Sequence, residues 1–155
     1  MAIIPRTSLS EIKAYMQKQA DSLDKVVIRN LERLGMMAVT YARNRTGTES
    51  WYDQTGNLRS SIGYVVGRDG EIISEGGFRT ILNGETGSSE GKQFANELAN
   101  RFANKYFLIV VAGMKYASYV EDMDNKDVLA SASIFAEKEL PNMVKRIDDM
   151  LKTLK

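Results

Sequence analysis

One apolar series limits the folds open to this chain more than any other feature. Ile12, Tyr15 and Met16, Leu23, Val26 and Val27, Leu31, Leu34, Ala38, and Tyr41 and Ala42 recur at helical intervals, as the buried face of an α-helix does. Ser8-Leu9-Ser10-Glu11 precedes the series. It sets a hydroxyl at an N-cap and a carboxylate three residues on, which is a capping box. No proline lies between Pro5 and Pro141, so the pattern predicts a helix of about 35 residues, roughly 50 Å long. Globular helices are usually about a third of that length. A small domain cannot cover such a stripe alone. Either part of the helix packs on another subunit, or it breaks near Gly35.

The rest of the chain alternates. Arg45 to Gln54 reads as a loop around Trp51 and Tyr52, followed by a turn or helix start at Thr55-Gly56-Asn57 and a short helical turn over Leu58 to Ile62. Gly63 to Gly67 and Glu71 to Glu75 flank Arg68-Asp69-Gly70. Aspartate–glycine between β-rich segments is a hairpin signal, because both central residues accept positive φ. Gly76 to Gly91 holds five of the 12 glycines and reads as a mobile loop, the kind of long loop that often carries function. Phe94, Leu98 and Phe102 mark a second helix from about Glu90 to Phe102. Tyr106 to Ala112 is a buried strand ended by Gly113, Tyr116 to Glu121 a helical turn, and Val128 to Ala130 a short edge strand. A final helix runs from about Ser133 to Leu154, with Pro141 set to kink or divide it. The expected fold is α+β. A long N-terminal helix, a small antiparallel sheet with a β-hairpin, and a C-terminal helix packed on the sheet form one domain over residues 1–155.

Composition narrows the chemistry. With 0 histidines and 0 cysteines among 155 residues, a serine–histidine–aspartate triad, a histidine base, a cysteine nucleophile and an ordinary zinc site are all excluded. Paired carboxylates remain for a glycosidase, but no acidic pair sits in an apolar pattern. The sequence therefore points away from an enzyme and implies no cofactor and no metal.

Three motifs invite a ligand and fail. Gly87-Ser88-Ser89-Glu90-Gly91-Lys92 has too few residues between its glycines for a phosphate loop, and Gln93 where the hydroxyl belongs. Asp122 to Asp127 opens like a calcium loop but lacks the glycine at its sixth position and the glutamate at its twelfth. Gly67-Arg68-Asp69-Gly70 matches an RNA-clamping loop that joins helices, yet here it lies between strands.

Charge is balanced at +1, with a regional excess: residues 1–50 carry 8 basic and 5 acidic side chains. Arg29, Arg33, Arg43 and Arg45 lie in this segment, either as a solvated face or as phosphate readers. The longest apolar run, Tyr106 to Ala112, is far short of a membrane span. The start of the chain lacks the charge and apolar stretch of a signal peptide, so a soluble chain made in the cytoplasm is expected.

Two segments carry more information. One is Tyr52-Asp53-Gln54-Thr55-Gly56-Asn57-Leu58-Arg59-Ser60-Ser61-Ile62-Gly63-Tyr64, in which Asp53 or Thr55 can cap the turn. The other is Val111-Ala112-Gly113-Met114-Lys115-Tyr116-Ala117-Ser118-Tyr119-Val120-Glu121. Together they resemble the tailed-phage head–tail joining family of neck and tail-completion proteins. That family has a long N-terminal helix, T-G-x-L-R-x-S-I, a hairpin, a strand, Y-A-x-Y-V-E and a C-terminal helix. Relatives continue the second motif with phenylalanine, glycine and threonine, where this chain has Asp122-Met123-Asp124.

The resemblance implies a non-enzymatic virion structural protein, from an active phage or a prophage. Such a protein would be made in the host cytoplasm and assembled as a homo-oligomeric ring between head and tail. Its partners would be other connector or tail proteins, with no membrane, and with nucleic acid at most as DNA passing through the lumen. Residue type nominates Trp51, Tyr52, Arg59, Phe78 and Arg79 as interface candidates, and the second motif adds Tyr116, Tyr119 and Glu121. Arg59 and Glu121 are either an ion pair, within or between subunits, or two independent charges. Tyr116 and Tyr119 serve either the core or a subunit contact. The alternative function is a small nucleic-acid-binding module that uses the basic N-terminal helix.

Overall fold

The computed structural model describes residues 8–45, 51–122 and 126–153. The first helix, α1, spans Leu9–Arg43 without a break. Ser8 Oγ accepts from the Glu11 amide at 3.2 Å, and the Glu11 carboxylate accepts from the Ser8 amide at 2.7 Å. Gly35 does not break the helix: a Cβ there would stand 2.6 Å from the ring of Tyr64. The residue is small because an aromatic ring lies against it.

A four-residue turn, α2 (Asn57–Ser60), leads into β1 (Ile62–Arg68) and β2 (Glu71–Gly77). Asp69 and Gly70 join the two strands with φ of 57° and 84°, the backbone that the aspartate–glycine pair favours. Helix α3 follows (Glu85–Ala99), then β3 (Tyr106–Ala112), α4 (Ala117–Asp122) and α5 (Ala130–Thr153). The sheet is antiparallel throughout, in the order β2-β1-β3.

Side chains alternate across β1 and divide the interior in two. Ile62, Tyr64 and Val66 meet Val39 and Ala42 of α1, with Trp51, Leu58, Val128 and Ala132. Val65 faces the other way, toward Phe78, Ala95, Ala99, Phe107, Ile109 and Val111. Helices therefore cover both faces of the sheet. Full burial of side chains such as Ile62 and Val65 stabilises by roughly 1.5–3 kcal/mol each. The C-terminal helix reaches this core through Ala132 and otherwise runs back along α1. Phe135 stacks on Tyr41 at 5.2 Å, and Met150 reaches Asn30. Pro141 lies within α5 and does not divide it.

Three expectations need correction. Gly76 to Gly91 is not a mobile loop: β2 runs to Gly77 and α3 starts at Glu85. The stretch between them is tied down by the amides of Phe78, Ile81 and Asn83, which donate to Ile62 O, Ser60 Oγ and Thr55 O. Secondly, the second helix runs from Glu85 to Ala99 rather than from Glu90 to Phe102, and its most buried face is not the one on which Phe94 lies. It is Gly87, Gly91, Ala95 and Ala99, four residues apart, and this small ridge lets the helix backbone approach. A Cβ at Gly87 would stand 2.0 Å from Asn57 O, and one at Gly91 2.4 Å from Ser61 O. Thirdly, Val128 to Ala130 forms no strand. Val128 is buried there, but α5 already begins at Ala130. The acidic turn expected at Asp122 to Asp127 and the end of the last helix at Leu154 lie partly outside the described residues.

Candidate functional site

The first motif is a hub of backbone ties. Asp53 Oδ1 accepts from Gly56 N at 3.0 Å and its Oδ2 from Arg59 N at 2.8 Å, while Thr55 Oγ1 accepts from Asn57 N at 3.3 Å. Both capping candidates are therefore used. Gly56 sits at φ 82°, and a Cβ there would stand 2.0 Å from Ile81 O. Asn57 Oδ1 accepts from Gly87 N at 3.1 Å, and Ser61 O accepts from Gly113 N at 3.3 Å. Residues 55–61 thus hold the connection after β2, the start of α3 and the end of β3 against one another.

The second motif ends in a cap. Glu121 Oε1 accepts from the amides of Leu129 and Ala130 at 3.2 and 2.6 Å. Asp127 joins it, accepting from Ser131 N at 3.0 Å and pairing with Arg45. Two carboxylates thus meet the N-terminus of α5, where unpaired amides favour negative charge. Glu121 is spent on this cap. Arg59 lies instead over the Trp51 ring, 5.4 Å from its centroid, so no Arg59–Glu121 pair forms within the chain. The two motifs do meet, around a small pocket that Tyr52, Asp53, Thr55, Leu58, Tyr116 and Val120 help to line. Burial, with the charges of Asp53 and Glu90, pushes the Tyr116 hydroxyl above its ordinary pKa.

The interface candidates separate by exposure. Trp51 and Phe78 are 5% exposed each and belong to the two cores, so neither offers a surface to a partner. Residue type alone suggested them; their apolar neighbours claim them. Tyr52 and Tyr119 are largely exposed, which removes the core reading for Tyr119, while Tyr116 is partly exposed and partly enclosed by the small pocket. Arg79 is exposed, while Arg59 and Glu121 are half-buried.

The sequence did not single out what Arg59 and Arg79 assemble. With Arg43 they line a cleft of about 710 Å³ between the C-terminal half of α1, the end of β2 and residues 79–81. Among the described residues, no acidic side chain lines it. Arg43 donates to Arg79 O at 2.8 Å and, more weakly, to Ile62 O at 3.5 Å. Burial, and then the like charges of Arg79 and Arg59, hold its guanidinium below the ordinary pKa. The Nε of Arg59 is buried without a hydrogen-bond partner among the described residues. The signal available in the sequence was the three arginines themselves, but nothing in their spacing shows that they converge.

Elsewhere, α1 extends past its support. Residues 8–21 are exposed on every side, and Leu9, Ile12, Tyr15 and Met16 stand in solvent. Among the described residues, no group of acidic side chains is arranged to hold a metal ion, and no helix is long and apolar enough to cross a membrane.

What these features define is an α+β domain with a charged cleft and an overhanging helix. The family profile described as "Bacteriophage HK97-gp10, putative tail-component" matches residues 10–122, which includes both motifs. The chain belongs to this HK97-gp10-like family. No curated protein and no solved structure gives a significant match.

Proposed function

We propose that the chain is a non-enzymatic structural component of the virion. In this reading it is a head–tail joining or tail-completion subunit that assembles into a ring, made in the host cytoplasm and incorporated with other connector or tail proteins. DNA meets it at most by passing through the lumen. Membership of a phage tail-component family supports the virion setting. The single observation that carries assembly is the free part of α1, where Leu9, Ile12, Tyr15 and Met16 are exposed although their spacing is that of a buried face. A head-to-tail contact that closes on itself gives a ring, and side chains of this kind suit such a contact. Mass spectrometry of purified particles, with electron microscopy of the head–tail junction, tests the reading. The chain is expected in the particle, at a ring-shaped layer. A complete particle that lacks it overturns the proposal.

A second reading uses Lys18, Lys25, Arg29 and Arg33, which are exposed on α1. As a nucleic-acid module, the protein would retain generic duplex at low salt and release it steeply as salt rises. Under the first reading no such retention is expected from the isolated chain.

A further inference from the structure

The arginine cleft has a counterpart on the far side of the domain. On α3, Phe94 is exposed between Glu90 and Glu97. Gly113 and Lys115, just beyond β3, border the same shallow depression. Among the described residues neither glutamate is in an ion pair, and Lys115 lies within 4.0 Å of no carboxylate. The two surfaces differ in every respect that matters for association. The cleft lies on the α1 face of the sheet beside β2, and the α3 depression lies on the opposite face beside β3. Strands β2 and β3 are the two edges of the sheet. One site gathers three guanidinium groups around apolar Met36 and Ile81; the other sets two carboxylates around an aromatic ring.

We infer that these are the two halves of one head-to-tail contact between copies of this chain, with Glu90, Phe94 and Glu97 of one copy seated in the Arg43–Arg59–Arg79 cleft of the next. The inference rests on the ring reading above and adds a pair of surfaces to the free part of α1. Planar guanidinium groups take carboxylates by paired hydrogen bonds. Met36 and Ile81 give the Phe94 ring an apolar seat. Because the halves lie on opposite edges and opposite faces, each copy offers a free half after docking, as a heterologous contact requires. A duplex suits the cleft less well. Arg43 is half-buried and holds backbone carbonyls, whereas a phosphate backbone is met by cations that stand out from the surface.

The test uses charge reversal and crosslinking in the full chain. Sedimentation should show wild-type protein forming species larger than a dimer as concentration rises. Arg79→Glu and Glu97→Arg should each weaken association about tenfold or more, which is about 1.4 kcal/mol, and the double variant should recover it. Both side chains are exposed, so folding is checked by an unchanged circular dichroism spectrum and melting temperature. The chain has 0 cysteines, so a short bismaleimide reports only introduced thiols. A chain carrying both Thr80→Cys and Gln93→Cys should give a ladder of multimers, and neither single variant should crosslink to itself. Self-linking by a single variant would mean a two-fold contact and would overturn the inference. So would wild-type protein that stays monomeric at millimolar concentration, or association indifferent to both reversals. In those cases particle microscopy still decides the ring reading separately. Binding of a short DNA duplex that is lost with Arg79→Glu while association persists would assign the cleft to phosphate instead, and would overturn it as well.

Discussion

Asp24 shows how much one half-buried carboxylate can connect. It accepts from the Tyr106 hydroxyl and pairs with Arg68, linking α1 to the end of β1 and the start of β3. The Tyr106 hydrogen bond, with Arg68 beside it, holds its pKa below the ordinary value. A depressed carboxylate stabilises the fold above its unfolded pKa, and that contribution is lost as pH falls through the folded pKa. Asp24→Asn should therefore lower the melting temperature at neutral pH, with the gap to wild type closing below about pH 4; a scan of melting temperature against pH reads this directly. Glu121 is the second residue to test. Removing its cap with Glu121→Ala should cost about 0.5–2 kcal/mol in denaturant unfolding, although the side chain looks from sequence like a surface charge. Its motif was legible; its role was not, because the amides it serves lie eight and nine residues ahead.

At the level of elements, legibility follows how local the cause is. The capping box of α1 and the Asp69-Gly70 hairpin were readable, since each is determined within four residues. The glycines after β2 were misread because a glycine looks the same whether it supplies freedom or clearance. What distinguishes them is the interval of four that Gly87 and Gly91 share with Ala95 and Ala99, a helical ridge rather than a flexible run. Gly91→Val should accordingly destabilise by about 1–3 kcal/mol or more, measured by chemical denaturation, as the added methyls meet Ser61 O and the Phe78 ring. The two halves of α1 should also part company. Its early amides lack tertiary cover and should exchange with deuterium well before those around Ala38 and Ala42, which are buried. Ala20→Pro should leave the cooperative unfolding of the domain nearly unchanged, while Ala38→Pro should cost ~3 kcal/mol or more.

The whole molecule has two helical layers around a three-stranded sheet, and the proposed contacts use what those layers leave uncovered. The α+β class was accessible from the order of helix, hairpin and strand signals, and the family from the motifs at residues 52–64 and 111–121. The arginine cleft was not, because Arg43, Arg59 and Arg79 come from three separate elements and converge only once β1 and β2 are paired. Trp51 and Phe78 fail as surface candidates for the same reason: only the assembled interior shows that they lie inside it. If salt weakens self-association as the charged contact requires, concentration-dependent sedimentation should move toward smaller species as ionic strength rises.

The overhang of α1 also has a mechanical side. From Leu9 to Asp21 the helix projects about 18 Å beyond its last supporting contacts, with a capped tip that resists fraying. It acts as a lever whose fulcrum is the buried stretch from Asn30 onward. A rotation of the domain by about 10° swings the tip, about 30 Å from that fulcrum, by about 5 Å. In the proposed ring, small adjustments in how the body is seated would thus be enlarged at the tip of the helix, and one rigid subunit would reach contacts that are not all spaced alike.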